Sequence, residues 1–453
     1  MENKSKIHFI GIGGSSMNGL ALIMKKRGHE ITGSDSAKSP FTEYLEEEGI
    51  AVTIGQSAQN IKNPDIVVHT AAISRDNDEL KAAREKGITT IDRATLLGKI
   101  TKEFKTSVGI AGCHGKTTIT SMIGLIAIKA DLDPTVHIGG IVPFFKGGGT
   151  YIGSDDIFIT EACEYENSYL QFDLNMAVIN NIDNDHLNFF GSIDNIVSSF
   201  LTFAKKLPTS GILIANSDDE RVKSIAKSVD CNIQTYGLKD GAMWQAKDIK
   251  QMPSGITEFS VYRDGAKQAD CVLNVPGVHN VQNALAAIIV CYNLGVPVQK
   301  SCDILREYRL TKRRFEHYGS FNGAELIHDY AHHPTELAAC IKTAEPLPHK
   351  RLIGVFQCHT FSRAINHLKE FGKVLSTLDE AIITDIYPAR EIDEGKIHAR
   401  DIVESINESG GNAVYISDFN GVKKHLLKED LKDCIILAMG AGDIGEKIKV
   451  LLD

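Results

Sequence analysis

Between Ser107 and Thr120 the chain reads SVGIAGCHGKTTIT: an apolar run ending at Ala111, a glycine-bearing loop, and a helix-forming stretch that opens on Lys116 and Thr117. A fully apolar strand that turns at once into a helix belongs to an α/β layer, so the flanking chain must supply parallel strands and crossover helices. The loop also carries chemistry. Gly112 and Gly115, with Cys113 and His114 between them, let the backbone wrap a polyphosphate. Lys116 supplies a cation, and Thr117, followed by Thr118, supplies a magnesium-ligating hydroxyl. The generic pattern has a glycine where this chain has Ile110.

A chain of 453 residues exceeds what one hydrophobic core organises. Breaks at the polar TKEFK (101–105) and the charged REYRLTKRR (306–314) divide it into three expected domains, 1–104, 105–311 and 312–453. Composition is that of a globular protein, 43% hydrophobic and 24% charged. A formal charge of -9, with no long Lys/Arg cluster, excludes a general nucleic-acid surface, so anionic partners must be held by specific sites. No run approaches the roughly 18 apolar residues of a membrane span, and the short apolar run at the first residues is not expected to act as a secretory signal. The expected setting is the cytosol, with neither a membrane nor a nucleic-acid partner; monomer and homodimer both stay open. Cys113, Cys163, Cys231, Cys271, Cys291, Cys302, Cys340, Cys358 and Cys434 show no CxxC spacing and read as reduced thiols. Cys113, among helix N-terminal amides beside Lys116, is expected either to favour the thiolate or, with Cys163 and Cys358, to be a small buried thiol filling space.

In the first hundred residues KIHFIGIGG reads as a strand entering a glycine turn, SMNGLALIMKKRG as a helix closed by Gly28, and HEITGSD and DIVVHTAAI as further strands. This is a Rossmann-like arrangement. Its turn, Gly11, Gly13, Gly14 and Ser15, departs from a strict GxGxxG because the third position falls on Ser16. Amides at the helix start would still favour a diphosphate. Asp35, at the end of the next strand, is placed to meet a ribose hydroxyl, and Thr70 joins the same candidate site. Alone, this segment reads as NAD binding.

In the second domain, with strands DIFITEA and MAVINNI, Glu161 follows DIFIT and His186 of NIDNDHL follows AVINNI. Carboxyl ends of neighbouring parallel strands share one edge, so both side chains can face phosphates held by Lys116. Thr117 and Glu161 offer the oxygen ligands that magnesium prefers; His186 points to a second ion or a water-mediated contact. The helix DNIVSSFLTFAKKL, the strand GILIAN, a β-rich stretch from Ile233 to Val275 and the helix VQNALAAIIVCYNLG complete the domain. GAELIHDYA, RLIGVFQ, EAIITDIY, NAVYIS and CIILAMG are the strands of the third.

GIGGSSMNGLA, GCHGKTT, EACEYENSYL, NIDNDHL, PGVHNVQNALAA, RRFE, HDYAHHPTE, FQCHTFSR and AMGAGDI follow the order and spacing of the Mur ligases over essentially the whole chain. The chain resembles that family, and most of all its alanine-adding branch through the GIGG start, HDYAHHPTE and FQCHTFSR. The implied fold is α/β with three domains: a Rossmann-like N-terminal domain, a central P-loop ATPase-like domain and a C-terminal Rossmann-like α/β domain.

The resemblance implies ATP-dependent amide synthesis. A muramyl carboxylate of UDP-N-acetylmuramate attacks the γ-phosphate, and the amine of L-alanine displaces phosphate from the acyl phosphate. Lys116 would clamp the phosphates, with Mg2+ on Thr117 and Glu161 and a second ion on His186. His279 and Asn283 would lie against adenine, and Arg314 and Asp329 would meet phosphate and ribose, with domain closure completing the site. Tyr330, His332, His359 and Arg363 would recognise alanine, Arg363 through its carboxylate and His332 by taking a proton from its ammonium. Some relatives carry arginine where this chain has Thr360, and EACEYENS departs from their EADESD at Cys163 and Glu166. A ligase that attaches a murein peptide to the same sugar nucleotide and a non-catalytic sugar-nucleotide-binding homologue are the alternative readings.

Overall fold

The computed structural model describes residues 4–70, 72–146 and 148–452. The chain packs as two compact units. One holds the chain up to Lys247 with Ser260–Cys271 and Gln282–Tyr308; the other holds Asp248–Phe259, Val272–Val281 and the chain from Arg309 onward. Among the described residues no helix is long and apolar enough to cross a membrane.

The first unit begins with a parallel sheet of β1 (Lys6–Ile10), β2 (Glu30–Asp35), β3 (Ala51–Ile54), β4 (Ile66–His69) and β5 (Thr89–Asp92), in the order β3-β2-β1-β4-β5. Strand order reverses at β1, so the carboxyl ends of β1 and β4 flank the crevice where open α/β sheets take ligands. The helix Met17–Lys26 buries every residue from Met17 to Met24, and Gly28, at φ 88°, ends it as expected. The expected strand DIVVHTAAI stops at His69, and its Ala71 lies outside the described residues.

A ten-stranded sheet follows, built from β6 (Thr106–Ala111), β7 (Thr135–His137), β8 (Thr150–Tyr151), β9 (Ile157–Glu161), β10 (Met176–Ile179), β11 (Ile212–Asn216), β12 (Asn232–Gly237), β13 (Trp244–Gln251), β14 (Thr257–Arg263) and β15 (Ala266–Leu273). Its order is β15-β14-β13-β12-β11-β10-β6-β9-β7-β8. β6 lies between β10 and β9 and is parallel to both, with Ala111 opposite Ile179 and Ile110 opposite Glu161. After the loop, the helix Lys116–Lys129 buries every residue from Thr118 to Ala127. A helix apolar all round is a core helix, and this one gives the loop a rigid base. One apolar cluster joins Ile7, Leu20 and Leu97 to Phe158, Tyr169, Phe200 and Leu213, so the first two expected domains share a core.

The second unit carries β16 (Glu316–Phe321), β17 (Ala324–Asp329), β18 (Leu352–Phe356), β19 (Glu380–Ile383), β20 (Ala413–Tyr415) and β21 (Ile435–Met439), in the order β16-β17-β21-β18-β19-β20. Only β16 is antiparallel to its neighbour. The sequence reading anticipates the five parallel strands but not β16, whose EHYGSF buries only Phe321. An edge strand of this kind lacks the apolar run that announces a central one.

Candidate functional site

The phosphate loop is fixed from below. Gly112 at φ 139° and Gly115 at φ 84° adopt backbone that side chains rarely reach, and a Cβ on Gly115 would stand 2.7 Å from both Asn180 Nδ2 and Asn283 Oδ1. The His114 carbonyl accepts from Asn180 Nδ2 at 3.0 Å and from Asn181 Nδ2 at 3.1 Å, and the His114 N–H donates to Asn181 Oδ1 at 2.8 Å. Both asparagines follow β10, so adjacent parallel strands and their side-chain amides set the loop's shape. Asn283, 3% exposed, lies beneath this loop with its Oδ1 3.4 Å from Asn180 Nδ2.

Lys116 does not point into open solvent. Its Nζ donates to both carboxylate oxygens of Glu164, at 2.9 and 3.2 Å, and to the Gly112 and Cys113 carbonyls. Burial by itself would lower the lysine's pKa; the Glu164 charge outweighs it and holds the pKa above its ordinary value. His186 joins the pair with Nε2 3.7 Å from Glu164 Oε1, and its φ of 55° is a left-handed conformation that bulky residues avoid. Glu166 and Asn167, at φ 53° and 55°, share that strain. Strained backbone of this kind clusters at ligand sites.

Glu161 ends β9 beside the loop, and its Oε1 is buried with no hydrogen-bond partner. A buried carboxylate oxygen without a partner is costly unless a cation meets it. A Cβ on Gly139 would lie 3.4 Å from Glu161 Oε2, and one on Gly140 3.2 Å from Thr117 Cγ2, so this glycine pair closes over both oxygen-ligand candidates. Thr117 and Glu161 thus lie under one glycine pair and offer oxygen donors of the kind a hard divalent cation prefers, while the contacts of His186 are with Glu164 and Asp185.

Of the two readings of Cys113, the structure favours the buried thiol. Cys113 is buried, and burial followed by the Glu164 charge pushes its thiol well above the ordinary value, with Lys116 only partly opposing. Cys163 is pushed up to about 11 and Cys358 to about 12, again mainly by burial. Helix N-terminal amides do not make a thiolate where water is excluded and a carboxylate stands nearby.

At the first sheet the glycine turn is held in the crevice between β1 and β4. A Cβ on Gly11, at φ 78°, would stand 2.8 Å from Thr70 Cγ2. The Gly13 N–H donates to Asp35 Oδ2 at 2.8 Å, so one oxygen of the expected ribose ligand braces the turn. Asn18 Nδ2 donates to the Gly14 and Ser15 carbonyls at 2.8 and 3.0 Å, while Gly14 and Ser15 themselves are exposed. Ser16 makes no side-chain cap for the helix Met17–Lys26. Its Oγ instead meets His137 Nε2 at 2.8 Å, leaving first-turn amides for an anion. His137 Nδ1 meets Thr150 Oγ1 at 3.1 Å, and burial, aided by Arg93, pushes the ring down to about 3.

The second unit gathers Tyr330, His332, His359 and Arg363. Ring centroids of Tyr330 and His332 lie 5.4 Å apart, those of His332 and His359 6.0 Å, and Arg363 Nη1 is 3.4 Å from His359 Nδ1. His332 Nδ1 is 2.9 Å from the Tyr330 carbonyl and 3.1 Å from Glu336 Oε2. These acceptors select the Nδ1–H tautomer and make Nε2 the basic nitrogen. Thr360, at φ 73° and ψ 146°, caps the helix Phe361–Asn366 and turns Arg363 toward His359. Asp329 accepts the Phe315 and Ala331 N–H groups, each at 2.7 Å, and burial raises its carboxyl although Arg314 and these bonds oppose it. Arg314 lies 5.3 Å from the Tyr330 ring and 3.8 Å from Glu336. His279 folds over Gly277 and lines a separate pocket of about 340 Å³ with Gln251, Lys342 and Thr343.

Glu164, the Asn180–Asn181 pair and Gly139–Gly140 carry no sequence signal that marks them as site residues. Glu164 stood inside a quoted motif, but no spacing tied it to Lys116.

A phosphate-type loop flanked by parallel strands, with a separate glycine-turn crevice at the first sheet, is the architecture of a nucleotide-binding α/β protein, and the chain belongs to the Mur ligase family. Its residues 6–105 match the Mur ligase family catalytic domain, 110–291 the Mur ligase middle domain and 313–442 the Mur ligase glutamate ligase domain. It is 47% identical over 444 residues to the UDP-N-acetylmuramate–L-alanine ligase of Acetivibrio thermocellus, covering 98% of this chain and 94% of that protein. With the same-named ligase of Caldanaerobacter subterraneus subsp. tengcongensis it shares 44% over 98% of this chain and 97% of that one. The crystal structure of the UDP-N-acetylmuramate-alanine ligase of Thermotoga maritima superimposes with a TM-score of 0.82 at 27% identity, over 99% of this chain and 98% of that one. A murein peptide ligase from Psychrobacter arcticus gives 0.74 at 25%, over 99% and 98%.

Proposed function

We propose that this chain joins L-alanine to UDP-N-acetylmuramate with hydrolysis of ATP to ADP and phosphate, in the synthesis of peptidoglycan precursors. The observation that carries the reading is substrate-specific likeness. Relatives named as alanine ligases share 42–47% identity over nearly the whole chain, and among solved structures the alanine ligase superimposes with a TM-score of 0.82 against 0.74 for the murein peptide ligase. Nine free cysteines suit a reducing compartment, and we place the reaction in the cytosol.

In this reading the chain divides by task. Residues 1–104 hold the sugar nucleotide at Gly11, Gly13, Gly14, Ser15, Asp35 and Thr70; 105–311 hold ATP on the loop from Gly112 to Thr118, with Asn283 supporting it. Residues 312–453 bring Arg314, Asp329 and the alanine cluster, and His279 meets the adenine. Thr117, Glu161 and His186 would hold magnesium, which when bound neutralises phosphate charge. Lys116 exchanges its contact with Glu164 for phosphate oxygens, so the chain's own cation follows the charge that moves to ADP. The lactyl carboxylate of the sugar attacks the γ-phosphorus, the bond to ADP breaks, and an acyl phosphate forms. Arg363 orients alanine by its carboxylate, and His332 Nε2 takes the ammonium proton. The amine then attacks the acyl carbon and phosphate departs.

The test is phosphate release with each substrate omitted in turn. Release should require ATP, UDP-N-acetylmuramate and L-alanine together. Release with a murein tripeptide but not with L-alanine would transfer the chain to the peptide-adding reading.

A further inference from the structure

Tyr387 stands where the alanine cluster meets a larger space. Its backbone is tied to the His359 segment twice: its N–H donates to the Cys358 carbonyl at 2.9 Å, and its carbonyl accepts from the Thr360 N–H at 2.8 Å. Its ring stacks on His359 with centroids 5.6 Å apart and planes 22° apart. Gly442 also packs closely on it: a Cβ there would stand 2.7 Å from Tyr387 Cγ and 2.5 Å from Gln357 Oε1. The ring thus packs against both an imidazole and a glycine, and a side chain at residue 442 would have to displace it or its neighbour Gln357.

Beyond Tyr387 opens a cavity of about 600 Å³, lined with Tyr387 itself by Gln357, Asp385, Asp418, Asn420 and Lys447. That is the size of sites that take drug-sized ligands, far more than a methyl side chain needs. Its walls mix carboxylates, amides and one ammonium, which suits the alternating charges and amides of a peptide. It lies at the carboxyl edge of β18 and β19, the edge that also carries His359.

Resting on the alanine-ligase reading, we propose that Tyr387 is the specificity-determining wall that limits the incoming amine to a single amino acid. With the ring in place, anything attached to the alanine carboxyl meets the His359–Tyr387 stack. With the ring removed, the alanine cluster and the cavity become one channel, and a dipeptide amine fits.

The experiment compares kcat/KM for L-alanine and for L-alanyl-L-alanine, by phosphate release with UDP-N-acetylmuramate and ATP, in wild type, Tyr387→Ala and Tyr387→Phe. Tyr387→Ala should raise the dipeptide-to-alanine ratio at least tenfold, and Tyr387→Phe should leave it at the wild-type value. An unchanged ratio in a folded Tyr387→Ala enzyme, or an equal rise in Tyr387→Phe, overturns the proposal. Should Tyr387→Ala fail to fold, Gly442→Ala, which must displace the ring or Gln357, is held to the same shift in ratio. Wild type inactive with L-alanine would refute the functional reading itself, so the two failures are told apart.

Discussion

Lys116→Met should cost stability as well as activity, and the structure sets how much. The Glu164 side chain is 1% exposed and that of Lys116 14%, with Nζ 2.9 Å from Oε2. At about 3 Å and an effective dielectric near 20, opposite unit charges attract by about 5–6 kcal/mol. Dehydrating them costs several kcal/mol per ion, so the intact pair adds little net stability, whereas deleting one partner of a buried pair costs about 3–5 kcal/mol. Lys116→Met should therefore be destabilised by about that amount, and Lys116→Met/Glu164→Gln should recover most of it while staying inactive. Urea unfolding read by Trp244, the single tryptophan and fully buried in the same unit, measures this. A single mutant as stable as wild type, or a double mutant less stable than the single, would refute the argument.

Arg363→Ala should raise KM for L-alanine tenfold to over a hundredfold, since a charge-assisted carboxylate contact contributes about 1.5–3 kcal/mol, while KM for ATP stays put; equal changes for all three substrates would mark a structural arginine. His137, held near 3 against its ordinary 6.5, binds a proton only after unfolding. Stability should therefore fall as pH drops below 6.5, by roughly 2 kcal/mol at pH 5 from this residue, and His137→Gln should flatten that slope in thermal melts. Glu79, completely buried, is shifted in the same direction. Burial would raise its pKa, but bonds from His8, Ser34 and Asn60 lower it overall, so its contribution persists to more acid pH and is lost only below the ordinary carboxylate range. Cys113 should react with iodoacetamide more slowly than a free thiol, and peptide mapping that finds it labelled first would contradict the burial argument.

What the sequence determined by itself was whatever local chemistry can announce: apolar runs long enough to be central strands, the glycines of two phosphate-type turns, and motif order across the chain. β6, β9 and β10 read as continuous apolar segments because parallel strands are covered on both faces, and their adjacency set Glu161 and His186 on one edge. The short strands β3 and β5, with no fully buried residue, and the edge strand β16 left no such trace. Tertiary structure alone decided which charges are shared. That Lys116 pairs with Glu164, 48 residues away, that water is kept from Cys113, and that Tyr387 packs against Gly442 depend on separations through space that no periodicity encodes. A residue type says which protons and charges it can hold; burial and neighbours say which it does hold.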